Sequence, residues 1–430
     1  MSSSIDNKSS TVDVTTVTQI SMLNVTHLRS FASDADQALP NVRPSGKPFS
    51  EYIGDGDIVI GSIVQANAIP SDMLDCNRSV ISATDVNPET TTNNNSTTTE
   101  TLPTRLLSYL RAGPRKLTFH NPSTSCAAIV TCGGLCPGMN GVICSLTKTL
   151  KETYQVPEVL GIRGGWWGFH KPENLPPIEL DVKKVDGVQH TGGTMLGSSR
   201  GGFDADKILK SCIEWKVNML FVIGGDGSHR GAMAVADLAQ ISKIPMSVVG
   251  IPKTIDNDIG IIDRSFGFES AVAEAKIAIK SAKVEASCAP NGIGVVKLMG
   301  RDSGYIAAHS TISSHGDVDL LLIPELKIDF NVNSKTNIFN HLNNTLLKKG
   351  HAVVVLSEGA GAEHLLQEST RNSETSADGT QPKLPPIGVY MKKRIQNYFN
   401  DILKKEVTVK YIDPSYMIRS VPANAFDSVR

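Results

Sequence analysis

The sequence predicts an α/β protein built on parallel sheets, and three observations lead to that prediction. From about Phe119 onward, short apolar runs alternate with stretches of helical patterning. The runs are apolar throughout rather than at every second residue, as in strands that helices cover on both faces. Nearly every run ends in glycine or polar residues, and this is the edge where open α/β sheets bind ligands.

Seven apolar runs qualify as strands. They are Ala127–Cys132, Glu158–Gly164, Met219–Gly225, Met246–Pro252, Gly292–Gly300, Asp319–Glu325 and His351–Gly359. Amphipathic helices are predicted between them, for example at Asp206–Trp215 and Glu269–Val284. This alternation of strand and helix is typical of parallel α/β sheets.

Three polar or weakly patterned segments stand apart from this body. Thr90–Thr104 is a low-complexity tract that cannot bury enough apolar surface to order itself. Tyr52–Val64 predicts a local hairpin, and Gln367–Leu384 predicts a surface insertion.

Length and composition restrict the class of protein. The chain has 430 residues, enough for two or three domains, and a formal net charge of −1 without the basic excess of nucleic-acid or membrane-surface binders. No apolar run approaches the ~18–20 residues that span a bilayer. The polar N-terminus lacks an apolar leader, so we expect a cytoplasmic protein without nucleic-acid or membrane partners. Organelle targeting stays open because of the segment Arg29–Ser33.

The seven cysteines are interpreted as packed thiols rather than a metal site. Cys132 and Cys136 have the closest spacing, but no second pair of Cys or His residues completes a zinc set.

The first motif is the glycine-rich turn Cys132–Asn140, which follows a strand and precedes a helix. Its small residues let backbone N–H groups approach a phosphate at a helix N-terminus. It matches neither the P-loop nor the dinucleotide fingerprint, and taken alone it is also consistent with an ordinary turn.

The second motif is Gly224–Gly231 (GGDGSHRG), again between a strand and a helix. The glycines permit close approach of a polyphosphate, and Asp226 offers the oxygen ligand that Mg²⁺ prefers. Gly-Asp-Gly is also common turn chemistry, so the structural alternative stays open.

The third motif, Pro252–Asp258 (PKTIDND), gathers two carboxylates, a hydroxyl, an amide and a lysine at the end of another strand. Phosphoryl transfer needs mainly positioning and charge stabilisation, with one carboxylate to accept the proton of the attacking hydroxyl.

Further motifs contribute arginines and a carboxylate. Arg301 lies in the motif Met299–Gly304, and Arg419 is the last residue of the motif Tyr411–Arg419. Arg200 ends a Gly/Ser loop, and Glu358 ends a predicted strand. Arginine binds phosphate in a bidentate manner, although each of these residues taken singly is also consistent with a surface arginine.

The order of these motifs resembles the phosphofructokinase family from about Ala127 to Asp427, and in particular its plant- and trypanosome-type ATP-dependent branch. The resemblance implies two doubly wound, Rossmann-like lobes with the active site between them. We predict an N-terminal extension at 1–118, a donor lobe at 119–284, a sugar lobe at 285–418, and a return toward the first lobe at 419–430 that stops short.

The resemblance also implies a role for each site residue. Asp256 is the general base for the sugar 1-hydroxyl, Thr254 contacts the transferred group, and Arg200 stabilises transition-state charge. Asp226, supported by Asp258, holds Mg²⁺. The implied donor-binding residues are Gly134, Arg200, Gly225, Asp226, Gly227, Ser228 and Lys253. The implied substrate-binding residues are Thr254, Asp256, Asp258, Met299, Gly300, Arg301, Glu358, Tyr416 and Arg419.

Two positions bear on the phosphoryl donor. Pyrophosphate-using members carry Asp where this chain has Gly227, and a carboxylate there would repel the α-phosphate of ATP. Lys253 instead matches the pyrophosphate users, but the plant- and trypanosome-type enzymes combine Gly with Lys. ATP is therefore the predicted donor and fructose 6-phosphate the predicted acceptor, in a glycolytic, allosteric homo-oligomer (a dimer or tetramer).

Three alternatives remain at this point. Lys253 keeps a pyrophosphate-dependent enzyme open. Because the chain ends soon after Arg419, a truncated, non-catalytic regulatory subunit is a second alternative. NAD and lipid kinases share only the Gly-Gly-Asp-Gly motif, and they would not be expected to carry Pro252–Asp258.

Overall fold

The computed structural model describes residues 118–259, 262–334, 337–362, 364–365 and 386–429, and also the backbone at 39–40, 58–65, 104–110 and 117. The chain divides into two units, residues 1–119 and 120–430. The predicted low-complexity tract and the predicted insertion lie almost wholly outside the described residues.

The described strands of the first unit form two antiparallel pairs. Strand β1 (Leu39–Pro40) pairs with β4 (Leu117–Thr118), and β2 (Ile58–Gln65) pairs with β3 (Thr104–Leu110). The first half of the predicted hairpin within 52–64 lies outside the described residues, and its second half, in β2, pairs with a segment distant in the sequence.

The part of the second unit that corresponds to the predicted donor lobe, here called the donor half, contains a five-stranded sheet of order β7-β6-β5-β8-β9. Its strands are β5 (Cys126–Thr131), β6 (Glu158–Ile162), β7 (Ile178–Glu179), β8 (Met219–Gly224) and β9 (Ser247–Pro252). All neighbours are parallel except the short edge strand β7, which runs antiparallel to β6.

The part that corresponds to the predicted sugar lobe, here called the sugar half, contains a four-stranded sheet, the sugar sheet, of order β11-β12-β10-β13, parallel throughout. Its strands are β10 (Gly292–Leu298), β11 (Leu320–Leu322), β12 (His351–Ser357) and β13 (Thr408–Ile412). The seven predicted strands are all present, and the predicted α/β architecture is confirmed.

Helices connect and cover these strands. They are α1 (Met139–Lys148), α2 (Trp167–His170), α3 (Val182–Val185), α4 (Ala205–Glu214), α5 (Asp226–Ile241), α6 (Phe268–Ser287), α7 (Tyr305–Ser313), α8 (Ile338–Lys349), α9 (Ile387–Asn397), α10 (Ser415–Ser420) and α11 (Ala425–Ser428). Short 3-10 turns lie at Pro122–Thr124 and Val188–His190, and π-helical turns at Thr149–Thr153 and Tyr398–Ile402.

One hydrophobic cluster joins the two sheets. It contains Ile129 of β5, Val296 of β10 and Val355 of β12 together with the buried face of α6. That face repeats at helical spacing, with Phe268, Ala271, Val272, Ala275, Ile279 and Ala282 buried. The long helix α6 therefore belongs to the core of both halves.

None of the described helices is both long enough and apolar enough to cross a membrane.

The sugar half has its own core, in which Phe339 is 1% exposed and stacks on Tyr398 at 4.8 Å between ring centroids. We expect Phe339→Ala to lower the free energy of unfolding by about 3–5 kcal/mol, because it leaves a cavity in a packed core. Urea denaturation measures the change. Leu347→Ala on the same helix is the control, since Leu347 is 71% exposed and its truncation should cost little. Equal losses from the two variants would contradict this packing.

Candidate active site

The motif residues come together at the carboxyl ends of the parallel strands. The glycine-rich turn follows β5, Gly225 follows β8, Lys253 follows β9, Arg301 follows β10, and Glu358 follows β12. Parallel strands place these ends at one edge of each sheet, which is where side chains from distant motifs can meet.

The glycine-rich turn lies beside two of the basic residues of the site, Lys253 and Arg419. A Cβ added at Gly133 would lie 3.7 Å from Lys253 Nζ, and one added at Gly134 would lie 3.7 Å from Arg419 Nη1. Hydrogen bonds to the loop at 198–199 hold the turn in place. Gly133 N donates to Ser199 O at 3.0 Å, and Ser198 Oγ donates to Gly133 O at 2.7 Å. The absence of side chains at 133 and 134 therefore leaves space between two cations.

The second motif forms the start of α5. Gly225 is the N-cap of this helix without a side-chain cap, and Asp226, Gly227 and Ser228 form its first turn. The N–H groups of a first helical turn have no intrahelical partner, so they can bind an anion. A Cβ added at Gly227 would meet no atom within 4 Å. The structure thus has open space beside a row of backbone donors.

The turn at 254–258 is held by hydrogen bonds that the sequence did not predict. Asn257 has a φ of 55°, and its Oδ1 accepts from Ser265 N at 2.7 Å. Ser265 Oγ donates to Thr254 O, and Thr254 Oγ1 donates to Asp258 Oδ1, both at 2.5 Å. Asparagine tolerates the left-handed backbone better than most residues, which is the one sequence signal for this turn.

Asp256 is a partly buried carboxylate whose Oδ1 is shielded from solvent. Burial raises its pKa to about 7, the negative charge of Asp258 acts in the same direction, and the backbone N–H of Arg301 opposes them. Glu358 and Asp302 raise the pKa further. Asp256 Oδ1 is buried and has no hydrogen-bond partner among the described residues. A carboxyl group with a pKa near neutrality and an unpartnered oxygen is suited to proton transfer.

Lys253 is a largely buried cation beside the glycine-rich turn. Burial lowers its pKa, and the positive charge of Arg200 acts in the same direction. The thiols of Cys136 and Cys132 and the carboxyl of Asp256 act in the opposite direction. Burial also raises the pKa of both thiols to about 12, so they are neutral groups packed beneath the turn.

The other described cysteines are free thiols as well, and most of them are buried. Only Cys288 among them is exposed.

Strands β10 and β12 are joined backbone to backbone where they leave the sugar sheet. Gly359 N donates to Gly300 O at 3.0 Å, and a Cβ added at Gly359 would lie 1.7 Å from Arg301 O. Gly300 has a φ of +120°, which favours glycine. These contacts bring Arg301 and Glu358 together, and Met299 packs against the shared core.

Tyr416 and Arg419 lie on the six-residue helix α10. The Arg419 guanidinium lies 4.6 Å from the centre of the Tyr416 ring, a cation–π contact. Asp413 holds the start of this helix by accepting from Ser415 N at 3.2 Å, and it pairs with Lys297 at 3.0 Å. The sequence did not predict that Asp413 pairs with Lys297, because the pairing depends on how β13 lies beside β10.

The two proposed metal ligands are not joined by a described contact. Asp226 and Asp258 are both exposed, and they follow different strands. Among the described residues, no group of three or more His, Cys, Asp or Glu side chains could hold a metal ion. Arg200, at the end of its Gly/Ser loop, is exposed, and its positive charge lowers the pKa of Lys253.

This fold and site define an α/β protein of two lobes, with backbone donors, cations and carboxylates gathered at its strand ends. The chain belongs to the phosphofructokinase family, because the family model described as "Phosphofructokinase" matches residues 126–430. The family resemblance and the two-lobed fold predicted from the sequence are confirmed. The domain boundaries at 118, 284 and 418 remain predictions.

Curated relatives carry more specific names. The chain is 47% identical over 322 residues to "ATP-dependent 6-phosphofructokinase 1" of Arabidopsis thaliana, covering 75% of this chain and 66% of the relative. It is 43% identical over 325 residues to "ATP-dependent 6-phosphofructokinase" of Borreliella burgdorferi, covering 74% of this chain and 71% of the relative. The chain thus spans about two thirds of the length of these relatives.

Solved structures support the fold. A pyrophosphate-dependent phosphofructokinase from Marinobacter aquaeolei matches with a TM-score of 0.57 at 21% identity, covering 71% of this chain and 72% of that chain. A phosphofructokinase from Saccharomyces cerevisiae matches with a TM-score of 0.53 at 20% identity, covering 71% of this chain and 40% of that chain.

The pKa of Asp256 predicts how stability depends on pH. The native carboxyl, with a pKa of about 7 against an ordinary 3.8, keeps a proton that the unfolded chain has lost. Its contribution to the free energy of unfolding is therefore greatest below pH ~4, falls as the pH rises, and is gone above pH ~7. Relative to wild type, Asp256→Asn should gain stability across this interval, at about 1.4 kcal/mol per unit of pKa shift.

Urea denaturation of both proteins at several pH values between 4 and 8 measures the difference. Asp237→Asn is the control, since Asp237 is an exposed carboxylate elsewhere on α5. A difference between wild type and Asp256→Asn that does not change with pH would contradict the raised pKa.

Proposed function

We propose that the protein is an ATP-dependent 6-phosphofructokinase, which transfers the γ-phosphoryl group of ATP to the 1-hydroxyl of fructose 6-phosphate. The observation that carries the proposal is the partly buried Asp256, whose shielded, unpartnered Oδ1 and raised pKa suit a general base. The names of its relatives support this activity.

The donor is proposed to bind along the glycine-rich turn and the start of α5. Gly134, Gly225 and the N–H groups of the first turn offer close approach to phosphate oxygens, and Ser228 adds a hydroxyl. Lys253 and Arg200 supply positive charge on the same side. The open space at Gly227 leaves room for a third phosphate, which supports ATP over pyrophosphate.

Mg²⁺ fits the chemistry of the acidic residues here. The ion usually takes one or two carboxylates and completes its shell with water and substrate phosphates, so a cluster of three protein ligands is not required. Asp226 would hold the ion, and Asp258 would support it. When bound, Mg²⁺ would neutralise charge on the donor phosphates.

The sugar phosphate is proposed to bind between the strand ends of the second sheet and α10. Arg301 and Arg419 would hold its phosphate, and Tyr416 would orient Arg419 through the cation–π contact. Glu358 would accept hydrogen bonds from sugar hydroxyls. Met299 and Gly300 would shape the floor of the site.

Asp256 is proposed to take the proton of the sugar 1-hydroxyl at Oδ1 as that oxygen attacks phosphorus. The Arg301 N–H would keep the carboxylate oriented during this step. Thr254 would contact the group in transfer, and Arg200 would offset the charge that develops on it.

Location and assembly complete the proposal. We expect a cytosolic, glycolytic homo-oligomer, a dimer or tetramer. Organelle targeting stays open, since one relative is named "ATP-dependent 6-phosphofructokinase 5, chloroplastic".

A coupled assay with fructose 6-phosphate and Mg²⁺, comparing ATP with pyrophosphate, tests the function and the donor together. We expect turnover with ATP alone. Turnover with pyrophosphate would mean that Lys253, rather than Gly227, decides the choice of phosphoryl donor. Folded protein that turns over neither donor would favour a non-catalytic subunit.

Gly227→Asp should raise the KM for ATP by about tenfold or more, because a carboxylate there repels the donor at short range. Since no atom lies within 4 Å of an added Cβ, the variant should fold normally. Gly227→Asn is the matched control of equal size without the charge, and it should change the KM for ATP much less. Equal losses from the two variants would show that space rather than charge matters.

Asp256→Asn should lower kcat by about 10²–10⁴-fold with little change in the KM for the sugar, because it removes the proton acceptor and keeps the shape. The wild-type rate should rise with pH and level off above about 7, as the carboxyl with that pKa ionises. Steady-state kinetics between pH 5.5 and 8.5 measure both. A variant with unchanged turnover would remove Asp256 from the mechanism.

A further inference from the structure

A second buried carboxylate, Asp427, lies near the site but has no role in the proposed chemistry. It is 3% exposed and belongs to the short helix α11, shortly after Arg419 in the chain. Buried carboxylates are uncommon unless other groups satisfy them, so its partners indicate what it does.

The partners of Asp427 lie at the start of α6. Asp427 Oδ2 accepts from Ser270 N at 2.7 Å and from Ser270 Oγ at 2.6 Å. Ser270 Oγ in turn accepts from Asn424 N at 2.8 Å, and Asn424 Oδ1 accepts from Asp427 N at 3.0 Å. These bonds satisfy a free N–H of the first turn of α6. They also place a negative charge at the N-terminus of this helix, where the helix dipole favours it.

The glycine-rich turn packs against the same junction. Cys136 Sγ donates to Phe266 O at 3.3 Å, just before α6 begins. A Cβ added at Gly138 would lie 3.6 Å from Ala423 Cβ, and one added at Gly267 would lie 2.7 Å from Pro137 O. The donor-side turn, the start of α6 and residues 423–427 are therefore in mutual contact.

Helix α10 depends on its ends for its position. With six residues it is too short to be stable through its own hydrogen bonds. Asp413 fastens its start, as described above. Its end continues through Ser420, whose carbonyl would lie 1.7 Å from a Cβ added at Gly192, and then to the residues that Asp427 holds.

We propose that Asp427 is a positioning residue, which ties the chain after α10 to the start of α6 and so holds Arg419 against the glycine-rich turn for the sugar phosphate. It acts through Arg419 and does not touch the reacting atoms. The inference rests on the proposed function for its kinetic consequence. The connection that Asp427 makes between the chain after α10 and the start of α6, here called the tether, rests on the hydrogen bonds and contacts alone.

Asp427→Asn tests the tether, because it keeps the shape of the side chain and removes its charge. Ser270→Ala is the milder second variant, which removes one donor and keeps the backbone N–H. We expect both to raise the KM for fructose 6-phosphate, by about tenfold or more in Asp427→Asn, since small displacements of a binding group are costly. The kcat and the KM for ATP should change by less than about twofold.

Amide hydrogen exchange provides a readout that does not depend on activity. In both variants, exchange of residues 415–420 should be faster than in wild type, while exchange within β5 and β10 stays the same.

Asp319→Asn is the matched control. The Asp319 side chain is 6% exposed and accepts from a backbone donor, Val353 N, at 3.0 Å, but it lies in the sugar lobe away from α10. It should lose stability without a change in the KM for the sugar.

The outcomes separate the tether from a general effect on the fold. An unchanged KM in both Asp427→Asn and Ser270→Ala, a uniform rise in exchange, or an equal KM shift in Asp319→Asn would each overturn the inference. If wild type turns over no fructose 6-phosphate, the proposed function fails. Exchange at 415–420 then decides the tether: faster exchange confined to this segment supports it, and unchanged exchange overturns it.

Discussion

The close approach between helix α6 and the sugar sheet is the constraint on which the site depends. A Cβ added at Gly294 of β10 would lie 2.8 Å from the carbonyl of Ala282, and one at Gly292 would lie 2.1 Å from that of Ala286. Backbone thus packs on backbone, and these distances cannot adjust as they can between flexible side chains. Because the same helix also packs in the core with β5, it fixes the spacing between the strand ends of the two lobes. Residues from separate motifs can therefore form one site.

The site itself is locally unfavourable. Burial disfavours the charged forms of Asp256 and Lys253, and Asn257 adopts a positive φ. Each feature costs stability on its own, and such costs are concentrated where a protein binds or transforms a ligand. The surrounding hydrogen bonds from Ser265 hold the turn in place despite this cost.

The sequence predicted the interior of the fold better than its edges. The seven buried strands were recognisable because they are apolar throughout. Strand β13 was missed because Lys410 interrupts its apolar pattern, and β7 because it has only two residues. The partner of β2 lies far along the chain, so nothing local could indicate it. For the site, strand-end motifs identified the chemical groups, whereas the Asn257 turn and the Asp413–Lys297 pair arise from contacts between distant elements.

A continuous backbone connection joins the proposed sugar-binding side of the site to the candidate base. Gly359 at the end of β12 donates to Gly300 at the end of β10, and the next residue, Arg301, donates its N–H to the carboxyl of Asp256. The side chain of Arg301 is at the same time a proposed ligand for the sugar phosphate. A shift of this residue would therefore alter the hold on the substrate and the orientation of the base together. Glycine at 359 makes the arrangement possible, because any side chain there would collide with the Arg301 carbonyl and separate the two strand ends.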